Sequence, residues 1–296
     1  MPITNEFEYH RPRDLKEALK LLWDYKGKAR VLAGGTDLVI WLKEGFASPE
    51  AVIDLKGIGE LSRLEFKDGV LTVGALVTFT QLIESEVVRA RFPLLWESAR
   101  TVASPGIRNR ATLMGNIASA VPSLDGGPAL LLHEAKVTVH GKAGRRAVPM
   151  RSWFTGPKKC ALLEDEIASE IAVPLPERKH AGCYAKLGRY RGEDLAQVGV
   201  GAMALEGGQY RVAFCAVGPV PTRAESIEAC LKGKGLSDII IKRAKALIPD
   251  EISPIADIRA SKEYRSHMAG VMLERALKAA ASRLEGKGPA YGTEQI

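Results

Sequence analysis

Two consecutive glycines stand where a strand meets a helix, and this junction restricts the possible folds more than any other feature. The run Ala29–Leu32 predicts a short strand, and residues 38–42 predict a helix just after Gly34 and Gly35. Glycine has no Cβ, so its backbone can approach a ligand, and the helix start supplies free N–H groups. Thr36 adds a hydroxyl donor. The junction predicts a phosphate-binding turn, although a tight structural turn would explain the same residues.

The turn matches neither of two familiar phosphate-binding signatures. It has no G-x-G-x-x-G, the fingerprint of a Rossmann fold, and no G-K-S or G-K-T, the end of a P-loop. The sequence therefore favours neither of those two folds.

A second segment, rich in small and polar residues, follows about 80 residues later. Its hydroxyl, amide and carboxylate groups suit the ribityl, phosphate and ribose oxygens of a nucleotide, and Asp125 can accept from sugar hydroxyls. Because apolar helices and strands flank it, we predict that 107–125 is a loop that wraps a ligand. The alternative is a turn in which Asn116 caps the next helix.

The remaining sequence alternates between helical and strand periodicity. An amphipathic helix is predicted over 14–25, with Asp14 as its N-cap and Glu17 completing a capping box. The further predicted strands are 51–55, 69–74, 136–140, 198–205 and 211–217, and the further helices are 79–84 and 93–102. A last helix begins near Ser261, and its predicted apolar face is Tyr264, Met268, Val271 and Met272.

Charge and hydropathy exclude several classes of protein. The 42 Lys and Arg residues outnumber the 35 Asp and Glu residues, but the excess is spread along the chain. Without a basic block or a recognised motif, nucleic-acid binding is not expected. The N-terminus lacks the apolar segment of a signal peptide, and no apolar run approaches the roughly 20 residues that span a bilayer. We therefore expect a cytoplasmic protein without membrane insertion.

The cysteines and histidines form no recognisable reactive or metal-binding pattern. The four cysteines are widely spaced and lack the C-x-x-C that zinc and iron–sulfur sites commonly use. We predict no metal and no disulfide framework, and we expect Cys215 to be a buried apolar residue. The five histidines are isolated in sequence, and His133 falls in an apolar run where packing is expected. No catalytic acid, base or nucleophile is assigned.

Several short motifs, in one order along nearly the whole chain, resemble those of a known family. The first are Phe7, Tyr9 and Pro12, then the Ala-Gly-Gly-Thr-Asp-Leu turn at 33–38, then Ile53, Asp54 and Leu55. The later ones are Gly74 and Ala75 with Thr78, Ile107 to Asn109, 112–116, Lys186 with Arg189, Asp194 with Ala196, 211–213, Pro219 and Pro221 with Arg223, and Tyr264 and Arg265 with Arg275. Together they resemble the FAD-binding medium subunits of molybdenum hydroxylases, the xanthine dehydrogenase and carbon monoxide dehydrogenase family.

The resemblance implies an α+β protein whose FAD-binding part has the two-subdomain fold of the vanillyl-alcohol-oxidase (PCMH) type. It implies an FAD-binding domain at 1–176, split near 57, and a smaller C-terminal α+β domain at 177–284. Residues 285–296 are expected to form an extended tail. The boundary between the two domains coincides with Pro174 and Pro176, which precede a run of charged residues.

The same resemblance implies which residues hold FAD. The turn at 33–38 would bind the diphosphate, and the second segment would hold the rest of the cofactor. The implied contact residues are Leu32, Ala33, Gly34, Gly35, Thr36, Asp37, Leu38, Thr78, Thr112, Gly115, Asn116, Ser119, Asp125, Leu162 and Lys186. The alternatives are core packing for Leu162 and a solvated surface position for Lys186.

The family also implies a function and partners. Electrons would pass from 2Fe-2S clusters of a small subunit, through FAD on this chain, to an external acceptor such as NAD or a quinone. The organic substrate would be oxidised at the molybdenum cofactor of a large molybdopterin-binding subunit. The implied assembly is a dimer of heterotrimers.

Two departures from the family pattern leave other functions open. Met114 stands where the family has a glycine, and Gly106 replaces a larger polar residue. The Met114 side chain would narrow the approach of the backbone to a phosphate, so a structural subunit that has lost FAD is one alternative. A stand-alone FAD oxidase is another, but the 33–38 turn has no histidine to attach a flavin covalently.

Overall fold

The computed structural model describes residues 3, 5–190 and 192–294, and its strands form four sheets. The expected α+β class is confirmed, because parallel and antiparallel sheets occur in separate parts of the chain and helices cover them. No helix of this described part has the length and apolar character needed to cross a membrane.

The first sheet is short and entirely parallel. Its elements in chain order are β1 (Glu8–His10), α1 (Leu15–Asp24), β2 (Ala29–Leu32), α2 (Leu38–Lys43) and β3 (Ala51–Asp54). The strands lie in the order β1-β3-β2, with Leu32 opposite Asp54. Because parallel strands end at one edge, the glycine turn after β2 and the chain after β3 emerge side by side.

The second sheet is antiparallel and carries most of the helices of the N-terminal half. In chain order the elements are β4 (Leu64–Lys67), β5 (Val70–Gly74), α3 (Phe79–Glu84), α4 (Glu86–Arg91), α5 (Pro93–Arg100), α6 (Pro105–Arg108), α7 (Leu113–Ser119), α8 (Gly126–Leu132), β6 (Lys136–Gly141), β7 (Gly144–Pro149), β8 (Phe154–Gly156), β9 (Lys159–Cys160) and β10 (Ile167–Pro174). The sheet order is β4-β5-β10-β6-β7, and β8 and β9 form a separate hairpin.

The third sheet belongs to the C-terminal part. Its elements are β11 (His180–Leu187), β12 (Val198–Leu205), β13 (Gln209–Cys215), β14 (Thr222–Arg223), α9 (Glu225–Leu231), α10 (Asp238–Ala246), α11 (Ile248–Glu251) and α12 (Lys262–Leu284). The four strands follow one another in an antiparallel meander, and α12 packs across β11 and β12. This packing encloses a core of its own, separate from the larger core around Phe79, Phe92 and Trp153.

Most local predictions are confirmed, since the predicted strands and helices outside 107–125 occur within a few residues of their expected bounds. Asp14 accepts a hydrogen bond from the Glu17 N–H at 2.8 Å, as an N-cap should. The Glu17 carboxylate, however, accepts from the Arg13 N–H and not from that of Asp14. Cys215 and His133 are both buried, as predicted.

The prediction of a loop over 107–125 is wrong. Helices α6 and α7 occupy much of this segment, and the irregular stretches are confined to 109–112 and 120–125. Pro105 at the first turn of α6 and the Thr112 N-cap of α7 start these helices. The small and polar composition concealed a short apolar face, because Leu113 and Ile117 lie one turn apart and are fully buried.

The predicted apolar face of the last helix is also wrong in part. Met272 is buried, but Tyr264 is 45% exposed, and the buried face instead begins at Arg265. Arg265 is buried because its guanidinium donates to the Gln197 and Ala216 carbonyl oxygens and pairs with Asp257 at 2.8 Å. Hydropathy scales treat arginine as a surface residue, so the sequence prediction began the apolar face of α12 at Tyr264, one residue before its actual start at Arg265.

The tail beyond α12 makes specific contacts where it is described. Residues 285–294 form turns, and the two residues after them lie outside the described part of the chain. The Gly292 N–H donates to Glu97 at 3.0 Å, and the Gly182 N–H donates to the Tyr291 hydroxyl at 3.3 Å. Instead of extending away from the domain, the tail is held against α5 and β11.

Candidate cofactor site

A cavity of about 690 Å³ lies between the first sheet, the second sheet and loops of the C-terminal part. Its volume is in the range typical of cofactor sites. It is lined by Leu32, Ala33, Gly34, Gly35, Thr36, Asp37, Leu38, Thr112, Gly115, Asn116, Ser119, Asp125 and Leu162, among others. The structure therefore brings together every sequence-predicted contact residue except Thr78 and Lys186.

The glycine turn forms one wall of this cavity and contacts the opposite wall directly. A Cβ added to Gly34 would overlap the carbonyl oxygen of Arg110, just before α7. Gly35 has a φ of +86°, in the left-handed region that favours glycine. Both glycines are thus required by the backbone, Gly34 for close approach and Gly35 for its conformation.

The turn leaves a set of unused donors at the cavity. Within the described residues, the backbone N–H groups of Gly34, Gly35, Thr36 and Asp37 donate to no protein acceptor. These residues are only partly exposed, and they directly precede α2. Half-buried N–H groups without a protein partner fit the diphosphate of a dinucleotide, which supplies several anionic oxygen acceptors.

The opposite wall is the start of α7. Thr112 caps this helix by accepting from the Gly115 N–H at 2.9 Å, and an isolated bridge joins Thr112 to Thr78. The Asn116 side-chain oxygen accepts from the Gly126 N–H at the start of α8, at 3.3 Å. Asn116 therefore contacts the start of the next helix, but it lies within α7 and not in a turn, and the N-cap of α8 is Asp125. The Asn116 amide NH₂ has no partner among the described residues.

Asp125 is locked by two residues of β11. Tyr184 donates its hydroxyl to one carboxylate oxygen at 2.7 Å, and Lys186 donates to the other at 2.9 Å. Lys186 also donates to the Thr101 carbonyl oxygen at 2.8 Å, so the alternative of a solvated surface lysine is wrong. Burial raises the pKa of Asp125, and the Lys186 charge and the two hydrogen bonds oppose that rise. The same burial and the neighbouring carboxylate raise the pKa of Tyr184 well above its ordinary value.

The structure also defines the contacts of Thr78, Leu162 and Met114. Thr78 does not line the cavity, and instead caps α3 by accepting from the Gln81 N–H at 3.2 Å. Leu162 lines the cavity while packing against the larger core. Met114 is 4% exposed and borders the cavity from within that core. The Met114 side chain therefore lies largely below the cavity surface.

Sequence reasoning missed the contribution of the C-terminal part. Arg189, Tyr190, Leu195 and Arg259 all line the cavity, and Arg259 has a buried Nε atom without a protein partner in the described chain. Tyr184 was missed as well. Arg189 and Leu195 lie in or within matched family motifs, but no cofactor contact was assigned to them, and Arg259 belongs to no motif. The tertiary fold brings these residues to the cavity.

Two family profiles match the chain in succession. The family described as the FAD binding domain in molybdopterin dehydrogenase matches residues 5–176, and the CO dehydrogenase flavoprotein C-terminal domain matches 183–280. These matches define the class of protein: a flavoprotein in which an FAD-binding domain is followed by the C-terminal domain of CO dehydrogenase flavoproteins.

Relatives and solved structures agree with this class over almost the full length. The carbon monoxide dehydrogenase medium chain of Hydrogenophaga pseudoflava is 35% identical over 95% of this chain and 99% of its own. The xanthine dehydrogenase FAD-binding subunit of Escherichia coli O157:H7 is 32% identical over 94% of this chain and 97% of its own. The solved carbon monoxide dehydrogenase from Hydrogenophaga pseudoflava superposes with a TM-score of 0.91 at 36% identity, covering 96% of this chain and 99% of that one.

This chain belongs to the family of FAD-binding medium subunits of the molybdenum hydroxylases. The FAD-binding fold followed by a smaller C-terminal domain is confirmed, and the chain is an oxidoreductase component.

Proposed function

We propose that this chain holds FAD across the main cavity and relays electrons through it, without transforming the organic substrate. The observation that carries the proposal is the row of unused N–H groups from Gly34 to Asp37, facing a cavity of dinucleotide size. Bound FAD supplies the redox chemistry, and the protein supplies binding, orientation and electrostatics.

Each wall of the cavity has a separate task in this proposal. The turn at 33–38 binds the diphosphate with backbone donors, and the start of α7, with Gly115, Asn116 and Ser119, holds the remainder of the cofactor. Asp125 accepts from a cofactor hydroxyl through the lone pairs that Tyr184 and Lys186 leave free. Lys186 acts through Asp125, because it does not line the cavity itself.

We further propose the assembly in which this relay operates. The electrons come from 2Fe-2S clusters of a small subunit, and the substrate is oxidised at the molybdenum cofactor of a large subunit. The relatives are named as medium chains or subunits of larger enzymes, which supports a multi-subunit complex. We assign 1–176, split near 57, to FAD binding and 177–284 to the smaller domain, and we place a dimer of heterotrimers in the cytoplasm.

The proposal is tested by purifying the native chain with an affinity tag and analysing what accompanies it. We expect a large and a small subunit, with molybdenum and iron in the same gel-filtration peak as the flavin. Dithionite reduction of the isolated chain should bleach the flavin bands, while the isolated chain should oxidise no organic substrate. Turnover of a small organic substrate by the chain alone would contradict the relay role.

The two alternatives gain no support from the cavity. No histidine lies among the described residues that line it, which argues against a covalently attached flavin of the oxidase type. A structural subunit without FAD would have no use for a cavity with unpaired backbone donors on its wall.

A further inference from the structure

Two of the sequence motifs meet behind the glycine turn, and the proposed function gives them no role. Tyr9, from the first motif, and Asp54, from the third, lie on the adjacent strands β1 and β3. The Tyr9 hydroxyl donates to one oxygen of the Asp54 carboxylate. Asp54 is only 2% exposed, and it lies opposite Leu32, the last residue before the turn. A carboxylate is therefore buried at the base of the turn.

Lys56 links this carboxylate to the turn itself. Its ammonium lies 2.7 Å from the other Asp54 oxygen, and it donates to the Ala33 carbonyl oxygen at 3.2 Å. The same Asp54 oxygen accepts from the Lys56 backbone N–H at 2.9 Å, and so caps the short helical turn Leu55–Gly57. Both the backbone and the side chain of Lys56 are thus held by Asp54.

The charge of Asp54 keeps the Lys56 ammonium beside the turn. Burial by itself would raise the pKa of Asp54, but the hydrogen bonds from Lys56 and Tyr9 lower it below its ordinary value. Asp54 is therefore ionised at neutral pH. Because a buried anion is costly without a paired cation, this pair restricts a long and otherwise flexible lysine to one position.

The position of Lys56 determines where one of the unused donors points. The Ala33 carbonyl and the Gly34 N–H belong to one peptide unit, and a trans unit directs these two groups in opposite directions. Within the described residues no peptide bond is cis. A donor fixed at the Ala33 oxygen therefore aims the Gly34 N–H away from Lys56. Ala33 and Gly34 line the cavity and Lys56 does not, so the ammonium approaches this peptide from behind the cavity wall.

We propose that Lys56 is a positioning residue for FAD, which orients and polarises the Ala33–Gly34 peptide so that the Gly34 N–H donates more strongly to the diphosphate. A cation at the carbonyl oxygen draws electron density from the N–H, and hydrogen bonds in series strengthen one another. Asp54 and Tyr9 hold the ammonium in place. This inference rests on the proposed binding of FAD, and it adds a residue that lies outside the cavity.

The first test is the FAD affinity of the full chain, measured by fluorescence titration of the apoprotein. Lys56→Met should weaken FAD binding about tenfold, the effect expected when a hydrogen bond from a charged group is lost. Lys56→Arg should recover most of the affinity, because a guanidinium keeps the charge and can donate to the same oxygen. Lys28→Met is the matched control, since Lys28 pairs with Glu50 at 2.7 Å at the opposite end of β2 from the turn. Its affinity should equal that of the wild type.

A second readout locates the effect at the diphosphate. In chains saturated with FAD, the phosphorus NMR signals of the diphosphate should differ between Lys56→Met and the wild type, while the visible absorbance bands of the flavin should coincide. A purely structural role would instead loosen the whole site, so that the flavin bands would change as well. Changed flavin bands in Lys56→Met would therefore overturn the inference.

The remaining outcomes separate this inference from the proposed function. Unchanged FAD affinity in Lys56→Met, or an equal loss in Lys56→Arg, would overturn the inference and leave the relay intact. If Lys56→Met does not fold, Tyr9→Phe replaces it; its FAD affinity should fall about threefold, because only the hydrogen bond to Asp54 is lost, and no loss would overturn the inference. A folded wild-type chain that binds no FAD would instead refute the proposed function.

Discussion

Gly34 is the residue on which the geometry of the cofactor cavity depends most. It lets the turn after β2 touch the backbone before α7, so the two walls stay in contact. We predict that Gly34→Ala weakens FAD binding about tenfold or more. The added Cβ would overlap the Arg110 carbonyl oxygen, and the backbone shift that relieves this overlap costs about 1–3 kcal/mol. The measurement is FAD affinity by fluorescence titration of the apoprotein.

Gly59→Ala is the control for this change. A Cβ at Gly59 would meet no atom within 4 Å, and its φ is not in the left-handed region. Its FAD affinity should equal that of the wild type. Equal affinity in Gly34→Ala as well would show that the contact with Arg110 has no part in forming the site.

His133 predicts a pH dependence of stability. Burial lowers the pKa of His133 from 6.5 to about 3, so the folded protein keeps it neutral. The unfolded chain takes up this proton as the pH falls below 6.5, and the folded chain does so only near pH 3. Stability is therefore lost with falling pH across this window, by about 1.4 kcal/mol per pH unit from this residue.

The test compares urea unfolding of the wild type and His133→Gln between pH 7 and pH 4.5. The free energy of unfolding of His133→Gln should fall less steeply with decreasing pH than that of the wild type, because the variant lacks the contribution of His133. His267→Gln, at an exposed histidine, should leave the wild-type slope unchanged. Parallel curves for wild type and His133→Gln would contradict a buried neutral His133.

At the scale of elements, the end of α12 ties the C-terminal part to α5. Arg283 pairs with Glu97 at 2.9 Å, and the side chains are only 3% and 4% exposed. Arg283 also donates to the carbonyl oxygens of Gly182, Pro289 and Ala290. We predict that Arg283→Met lowers the free energy of unfolding by about 3–5 kcal/mol, because Glu97 stays buried without its cation.

Lys278→Met provides the comparison on the same helix. Lys278 pairs with Glu274 at 2.8 Å but is 51% exposed, so its loss should cost less than about 1 kcal/mol. Both variants are measured by chemical denaturation. If they were equally stable, the Glu97–Arg283 pair would not hold the tail and α5 together.

The elements also show where sequence patterns succeed and where they stop. Strand and helix bounds followed periodicity and caps, as for α1 behind Asp14, because these signals are local. Periodicity did not predict α7, because this seven-residue helix contains Gly, Asn and Ser and its apolar face consists mainly of Leu113 and Ile117. It failed again at Arg265, whose burial depends on carbonyl oxygens that are distant in sequence.

On the scale of the whole molecule, the sequence predicted only part of the candidate site. The glycine turn and the α7 segment could be identified because glycine, threonine and asparagine carry local signals and a family motif. Tyr184 and Arg259 could not, since only the tertiary fold brings Tyr184 of β11 against Asp125 and the loop before α12 to the cavity. The ion pair between Asp125 and Lys186 likewise joins residues 61 positions apart.

The proposed function requires that two walls of one cavity together bind a single FAD molecule. The most direct measurement is titration of the folded, cofactor-free full chain with FAD, followed by gel filtration and acid precipitation. We predict one FAD per chain, retained through the column and released by acid. A folded chain that emerges without flavin after incubation with excess FAD would contradict the account.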